Sequence, residues 1–277
     1  MSSRVMAGKK QTVLRQILDQ VTIEGTPSSV PPGSRVALFA SYSADARVSR
    51  SIEELVTQLQ GRGYFVILIR ASESTEPLRW PTGKPSDLMV IRKPNIGYDF
   101  GSWSAAMAMF PDIRRRPHVL LVNDSIVGPF ASIDPLVDLF ESSTSDAWSA
   151  TTNLQVSPHL QSFFTGFRNG TLATPVMREF WTNLPNETAK HAIIDKYEFG
   201  LTRALFSEGF SSEAAFPSQI VGAPGDNPVI RGWRTMLELG FPFVKRELLT
   251  NPTVAPDGHL VREFVEARFG TDPLNWL

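Results

Sequence analysis

The chain has 277 residues, of which 42% are hydrophobic and 20% are charged, so a sizeable buried core is expected. Its net charge of −1 excludes the broad basic field of a nucleic-acid-binding protein. The lack of cysteine excludes disulfides, thiolate metal sites and cysteine nucleophiles, and no apolar run approaches the roughly 20 residues that span a bilayer.

The first part of the chain is predicted to precede the main fold. Residues 1–10 have the composition of a basic tail, and apolar residues then repeat at helical spacing over residues 13–21. This short amphipathic helix either docks on its own domain or contacts a partner or a membrane. A Pro/Ser/Gly linker follows at residues 25–33, so residues 1–34 are assigned to tail, helix and linker.

Strands and helices alternate in the next part of the chain. Apolar runs predict buried strands at 35–40, 64–69, 88–91 and 119–122, and helices are predicted at 48–59 and 100–110. This alternation is typical of a parallel sheet covered on both faces. We therefore predict an α/β fold with a mostly parallel, Rossmann-type sheet flanked by helices, and assign residues 35–130 to its first half.

The pattern becomes mixed after Pro129. Helices are predicted at 135–140, 175–183, 189–206, 229–239 and 260–269, and strands with polar positions at 147–152 and 162–167. Residues 131–277 are therefore assigned to a mixed second half.

A polar turn, Asn123-Asp124-Ser125, follows the apolar strand at residues 119–122. Ligands of open α/β sheets bind where strands end, and a carboxylate there is able to hold a divalent cation against a diphosphate. The alternative is an ordinary Asp/Ser turn, because both residue types favour turns.

A second polar segment lies between the strand at 88–91 and the helix at 100–110. Arg92 and Lys93 offer cationic donors for phosphate, and Gly97 allows close backbone approach to a ligand. The alternative is a glycine turn in which Asp99 caps the following helix.

Glu198 lies in a predicted helix, where a glutamate that points into a cleft could act as a general base. The alternative is a surface glutamate paired with neighbouring Lys or Arg. His159 is one of four scattered histidines, and a structural role is the simplest interpretation. The chain has neither a P-loop motif nor a Gly-x-Ser-x-Gly elbow, which argues against P-loop phosphotransferases and α/β-hydrolases.

Five segments together resemble one known family. They are Asn95-Ile-Gly-Tyr-Asp-Phe-Gly-Ser, Leu121-Val-Asn-Asp-Ser with Gly128-Pro129, Gln161-Ser-Phe-Phe, Tyr197-Glu198 with Leu201-Thr202, and Gly240-Phe-Pro-Phe-Val-Lys-Arg-Glu-Leu-Leu249. In this order they resemble the rhamnan synthesis F family of bacterial polysaccharide glycosyltransferases, over residues 35–252. The resemblance implies a GT-A-like fold with a nucleotide-sugar-binding half and an acceptor-binding half.

The resemblance also implies roles for individual residues. Asn123-Asp124-Ser125 stands where GT-A enzymes carry an Asp-x-Asp motif, so Asp124 and Ser125 would hold Mg²⁺ or Mn²⁺. Only Asp124 is a carboxylate there, so metal binding is expected to be weak or replaced by cations such as Arg92 or Lys93.

The remaining implied roles concern the two substrates. Glu198 falls where inverting GT-A enzymes carry the catalytic base. The donor side would comprise Ser41, Tyr42, Ser72, Arg92, Asn95, Gly97, Asp99 and Asn123, and the acceptor or sugar side His159, Gln161, Ser162, Phe163 and Phe164.

The implied activity is transfer of a sugar, with dTDP-rhamnose as the expected donor, to a glycan or a lipid-linked glycan. The expected location is the cytoplasm, with peripheral contact at the inner face of the plasma membrane and self-association left open. Two other function classes stay open from the residues alone. One is a non-catalytic nucleotide- or sugar-binding module, and the other is an assembly protein that docks on a membrane synthesis complex through the helix at residues 11–21.

Overall fold

The computed structural model describes residues 11–33, 35–222 and 225–277, and the predicted basic tail at residues 1–10 lies outside the described residues. The strands are β1 (Thr22–Glu24), β2 (Arg35–Tyr42), β3 (Phe65–Ala71), β4 (Met89–Lys93), β5 (His118–Asn123), β6 (Ile126–Val127), β7 (Ala147–Asn153), β8 (His159–Leu160), β9 (Phe164–Arg168), β10 (Ser212–Phe216) and β11 (Val244–Lys245). The α-helices are α1 (Val13–Ile17), α2 (Arg50–Gly61), α3 (Tyr98–Met109), α4 (Asp134–Ser142), α5 (Pro175–Thr182), α6 (Lys190–Ile193), α7 (Phe199–Ser207), α8 (Pro228–Arg231), α9 (Trp233–Glu238), α10 (Arg246–Thr250) and α11 (Val261–Phe269).

One large sheet forms the centre of the molecule. Its strands run in the order β1-β4-β3-β2-β5-β9-β7-β10, and β8 pairs with β7. The four strands β4, β3, β2 and β5 are parallel, whereas β1 and β9 are antiparallel to their neighbours. The predicted α/β class is confirmed: a mostly parallel central sheet is flanked by helices, consistent with a GT-A-like fold.

Apolar cores cover the two faces of this sheet. On one face α2 and α4 pack through side chains such as Ile52, Leu55 and Leu136. On the other face α1, α3, α5 and α7 pack around Trp103 and Trp181. Buried strands need apolar residues on both sides, which explains the continuous apolar runs of β2 to β5.

The N-terminal helix belongs to the second of these cores. Val13, Leu14 and Ile17 are buried in the same cluster as Trp103, and the backbone N–H of Val13 donates to the carbonyl of Leu184 at 2.9 Å. Each such apolar side chain contributes roughly 1.5–3 kcal/mol when fully buried. Of the two interpretations left open for this helix, the structure supports docking on its own domain.

Several elements differ from the sequence prediction. The helix predicted over 189–206 is interrupted by a π-helix at Ile194–Glu198, and the one over 229–239 divides at Gly232. Strands β1, β6, β8, β10 and β11 were not predicted, because they are short or only partly buried. Within the described residues, none of the helices has the length and apolar character needed to cross a bilayer.

Candidate active site

The carboxyl ends of β2, β3 and β5 lie side by side in the sheet. They bring together Tyr42, Arg70 and the Asn123-Asp124-Ser125 turn, which come from distant parts of the sequence. Such strand ends are where ligands bind in open α/β sheets. The predicted position of the polar turn, at the sheet edge, is therefore confirmed.

Asp124 is fixed in this turn by backbone contacts. Its carboxylate Oδ2 accepts the backbone N–H of Tyr42 at 3.1 Å, and its own N–H donates to the carbonyl of Ala40 at 3.2 Å. Burial raises the pKa of Asp124, and the charges of Arg246 and Arg70 oppose that effect. The charges of the two arginines and the hydrogen bond from the Tyr42 backbone thus favour the ionised carboxylate, but burial outweighs them and the pKa is raised overall.

A small two-stranded ladder brings Lys245 and Arg246 to the same place. Strands β6 and β11 pair antiparallel, and the N–H of Arg246 donates to the Ser125 carbonyl at 2.8 Å. Arg246 Nε then donates to the Asp124 carbonyl at 2.8 Å, and Lys245 Nζ donates to Ser125 Oγ at 2.8 Å. The cations that border the Asp124 turn thus come from the second half of the chain.

A cavity of about 810 Å³ opens beside Asp124, and we call it the arginine cavity. It is lined by Tyr42, Ser43, Asp45, Arg47, Val48, Ser49, Arg50, Ile52, Arg70, Pro81, Asp124, Ser125, Arg246, Asn275 and Leu277. Arg70 is its most buried charge, at 1% exposure. Burial lowers the pKa of Arg70, and the nearby Asp124 carboxylate opposes this.

A second cavity of about 520 Å³ contains Glu198, and we call it the glutamate cavity. It is lined by Tyr98, Asp99, Phe100, Asn153, Gln155, Val156, His159, Gln161, Ser162, Thr188, Ile193, Ile194, Glu198, Phe199, Asn227, Lys245 and Glu247. Glu198 ends the π-helix between α6 and α7. Single-turn π-helices within α-helices occur frequently at functional sites.

Glu198 is held between two side chains of the β8–β9 segment. Ser162 Oγ donates to one carboxylate oxygen at 2.9 Å, and His159 Nε2 lies 3.6 Å from the other. His159 Nδ1 is 2.7 Å from the carbonyl of Ser157, which accepts only, so Nδ1 carries a proton. Burial raises the pKa of Glu198, but contacts with His159, Ser162 and Lys245 outweigh it and lower the pKa overall.

The two cavities are joined by a chain of hydrogen bonds. Asn123 Nδ2 donates to Asp99 Oδ2 at 2.8 Å, and Asn123 Oδ1 accepts the N–H of Ser125 at 3.1 Å. Ser125 lines the arginine cavity, and its partner Lys245 lines the glutamate cavity. A ligand that occupied both cavities would therefore lie along these hydrogen-bonded side chains.

Asp99 does not cap α3, which corrects one of the two sequence interpretations. The helix begins at Tyr98, and Gly97 takes the cap position with φ of 78°. Burial raises the pKa of Asp99 to about 7, helped by the charges of Asp124 and Glu198 and opposed by Lys245 and Lys93. Asp99 thus lines the glutamate cavity as a half-buried acid whose pKa responds to the charges of both Asp124 and Glu198.

The glycines before and within α3 are explained by packing. A Cβ at Gly97 would lie 2.5 Å from Val13 of α1, and one at Gly101 would lie 2.5 Å from the Ile96 carbonyl. The chain at Gly97 therefore needs glycine because α1 lies against it, as the glycine-turn interpretation expects.

The other predicted donor residues line neither cavity. Ser41 is buried, Ser72 Oγ accepts the N–H of Ser74, and Asn95 is exposed. The guanidinium of Arg92 pairs with Glu24 at 2.8 Å. Their assignment to the donor stays a prediction.

The predicted acceptor residues divide into two groups. His159, Gln161 and Ser162 line the glutamate cavity, and Gln161 donates to Asn227 Oδ1 at 3.1 Å. Phe163 is buried, and Lys245 Nζ lies 5.2 Å above its ring. Phe164 is a core residue that packs against Trp148, so it lines neither cavity.

The residues at Asp124 offer few of the oxygen ligands that a divalent cation needs. The Asn123-Asp124-Ser125 turn offers one carboxylate, and the Ser125 hydroxyl is already bonded to Asn123 and Lys245. In the part of the chain that the structure describes, no group of three or more His, Cys, Asp or Glu side chains is placed to hold a metal ion. The donor set therefore fits poorly with the Mg²⁺ or Mn²⁺ that the fold family implies.

Sequence reasoning missed Arg70, Lys245 and Arg246 as site residues. Arg70 stands as a charged residue at the end of an apolar strand, which is an unusual position for a buried arginine. Lys245 and Arg246 lie within a segment that carried the family resemblance. Both signals were present in the sequence, but the sequence does not show that these residues meet Asp124.

Comparison with known proteins identifies the family of the chain. The family model described as rhamnan synthesis protein F matches residues 82–267, which is more than half of the chain. The chain belongs to this family. Asp124, Glu198 and Lys245 all lie within the matched range, and membership indicates a glycosyltransferase-like role in polysaccharide synthesis.

Two bacterial relatives are similar over half or more of their length. The virulence protein VirA of Vibrio anguillarum is 26% identical over 274 residues, which covers 87% of each chain. The uncharacterized protein y4gN of Sinorhizobium fredii is 25% identical over 195 residues, or 68% of this chain and 51% of its own length.

Proposed function

We propose that the protein transfers a sugar from a nucleotide diphosphate donor to a glycan or lipid-linked glycan acceptor, with dTDP-rhamnose as the donor. The observation that supports this best is the position of Glu198. It is held by Ser162 and His159 on the wall of one cavity, and the Ser125–Lys245 hydrogen bond joins that wall to the cavity beside Asp124.

The proposed reaction is a single displacement with inversion at the anomeric carbon. The acceptor hydroxyl oxygen attacks that carbon while its proton passes to the Glu198 carboxylate. The bond between the anomeric carbon and the diphosphate oxygen breaks, and its electron pair leaves on the diphosphate. A lowered pKa keeps Glu198 ionised at neutral pH, as a base requires.

The two cavities divide the substrates in this proposal. The donor occupies the arginine cavity, where it contacts Tyr42 and Asp124. Asn123 fixes the turn that carries Asp124 through its hydrogen bond to Asp99. The acceptor occupies the glutamate cavity with His159, Gln161 and Ser162. Because Lys245 and Arg246 reach the Asp124 turn, the proposed donor half (35–130) would be completed by the proposed acceptor half (131–277).

The cellular setting belongs to the same proposal. We propose that the reaction takes place on the cytoplasmic side of the plasma membrane, where a lipid-linked acceptor would be reached by peripheral contact. The buried apolar face of α1 is no longer a candidate for that contact. Self-association stays a prediction.

The decisive experiment compares transfer with donor binding in Glu198→Gln. We expect transfer to fall on the order of a thousandfold, because a positioned general base contributes that much, while the Kd for the nucleotide sugar stays unchanged. Glu208→Gln is the matched control, because Glu208 is exposed and lines neither cavity. Near-normal transfer by Glu198→Gln would show that the base assignment is wrong.

The single carboxylate of the Asn123-Asp124-Ser125 turn favours a second function class, a non-catalytic nucleotide- or sugar-binding member of a polysaccharide synthesis complex. The same experiment separates the two. A wild-type protein that binds the nucleotide sugar but neither transfers nor hydrolyses it, across a panel of glycan acceptors, would support the binding module.

A further inference from the structure

The arginine cavity has the features of an anion site without those of a metal site. We propose that Arg70, Arg246 and the N-terminus of α2 hold the diphosphate of the donor directly, so that donor binding needs no divalent cation, an inference that rests on the proposed function. Guanidinium groups match phosphate oxygens in pairs, and they remain charged at all physiological pH values.

Arg70 is the first observation that points to a ligand. Its side chain is 1% exposed, and it lines the cavity at the end of β3. One guanidinium nitrogen donates to the Arg47 carbonyl at 3.1 Å, but Nε has no hydrogen-bond partner within the described residues. A buried charged donor without a partner is destabilising, so an anionic ligand in the cavity would satisfy it.

The start of α2 is the second observation, and it is independent of Arg70. This helix has 12 residues, and its cap residue Ser49 and first residue Arg50 both line the cavity. The free N–H groups of a helix N-terminus attract anions, and the helix dipole adds to that attraction. The Ser51 side chain donates to the Gly128 carbonyl, which ties the start of α2 to the loop that follows Asp124.

Arg246 completes the site from the opposite side. Its Nε donates to the Asp124 carbonyl at 2.8 Å, which fixes the guanidinium beside the strand end. This bond is to the backbone oxygen of Asp124, and the charges of Arg246 and Arg70 act on its carboxylate electrostatically.

The side chains around the cavity carry a positive balance. Arg47, Arg50, Arg70 and Arg246 line it, against Asp45 and Asp124. Asp45 is already paired with Arg47 at 2.8 Å. The remaining charge suits a diphosphate, and a bound cation would add to an excess that already exists.

The test is calorimetric titration of the full chain with dTDP, UDP and inorganic pyrophosphate, after treatment with EDTA. We expect at least one nucleoside diphosphate to bind, with a Kd that changes by less than about twofold when EDTA is replaced by Mg²⁺ or Mn²⁺. Pyrophosphate should compete with it, because the proposed contacts are to the phosphates.

Substitutions then assign the binding to these residues. Arg246→Gln should weaken binding by about tenfold or more, and Arg246→Lys should restore part of it, because charged hydrogen bonds are lost and then partly replaced. Arg70→Lys is the second variant, and it keeps the buried charge while removing the planar donor group. Arg15→Gln, an exposed position on α1, is the control. Thermal unfolding of each variant shows whether it is folded.

The outcomes separate the two proposals. Binding that requires Mg²⁺ or Mn²⁺ would overturn the arginine site but leave the glycosyltransferase proposal intact. Binding without metal that Arg246→Gln leaves unchanged would also overturn the arginine site. If no nucleotide binds under any condition, both proposals are wrong.

Discussion

The arginine cavity and the glutamate cavity differ in how fully their main charged side chains, Arg70 and Glu198, are paired with protein groups. In the first, Arg70 is buried with a donor that has no partner in the described part of the chain, and positive side chains exceed negative ones. In the second, the Glu198 carboxylate is held by Ser162 and faces His159. An incompletely satisfied site is suited to take up a charged ligand, whereas a satisfied carboxylate is suited to stay in one position and one ionisation state.

After Glu198→Gln, the largest expected effect comes from breaking the connection between the cavities. In Lys245→Met the donor to Ser125 and the positive charge near Asp99 and Glu198 are both lost. We expect kcat to fall about a hundredfold, because fixed charges beside a leaving diphosphate stabilise its developing negative charge. Steady-state kinetics with a varied donor will measure this.

Lys245→Arg is the matched control for charge, and it should recover part of the loss. If Lys245→Met changes KM for the donor and leaves kcat intact, Lys245 acts in binding alone, and the two cavities are not coupled through it.

A smaller effect is expected in stability when Asp99 becomes neutral. A carboxyl whose pKa is raised to about 7 binds more protons in the folded state than in the unfolded state, so wild-type stability falls as pH rises from about 4 to 7. The Asp99→Asn protein does not lose stability in this way, because its side chain does not ionise. Its amide oxygen still accepts the hydrogen bond from Asn123. At pH 8 the Asp99→Asn protein should be more stable than the wild type by about 2 kcal/mol. Each unit of pKa shift corresponds to about 1.4 kcal/mol, and local rearrangement of the protein around Asp99 reduces the full difference.

Urea unfolding at pH 4 and pH 8 measures that difference. The free energies of unfolding of the two proteins should differ by less than about 1 kcal/mol at pH 4, where Asp99 is protonated in the folded state and about half protonated in the unfolded state. A stability difference that is the same at both pH values would contradict the raised pKa.

The smallest effect is expected at the histidine. His159→Gln removes a contact that lowers the pKa of Glu198, so that pKa should rise. Because the base works only when ionised, the acidic limb of the pH profile of kcat/KM should move to higher pH, by about one unit. Activity at pH 8 should change little. A profile that keeps its acidic limb would remove His159 from the support of Glu198.

The sequence was sufficient for the parts of the fold that depend on local pattern. The runs that became β2, β3, β4 and β5 are apolar at nearly every position, because these strands are buried on both faces, and their ends were located to within two residues. The polar turn at Asp124 was predicted because it directly follows the end of such an apolar run. The strand β10 was missed because most of its residues are partly exposed, which gives no clear alternation.

The parts that depend on distant contacts could not be predicted. The π-helix before Glu198 has no distinct residue period, so the segment reads as one continuous helix. The requirement for glycine at Gly97 comes from Val13, which precedes it by many residues. Lys245 meets Ser125 from 120 residues away through a ladder of two residues per strand, which is too short to leave a pattern.

That short ladder places two consecutive residues in different cavities. Lys245 lines the glutamate cavity, and the next residue, Arg246, lines the arginine cavity. On the proposed division of the substrates, a single insertion or deletion in β11 would displace both side chains at once and change the contacts with donor and acceptor together. Grafting the segment 241–246 from one family member to another should then carry preferences for both substrates together.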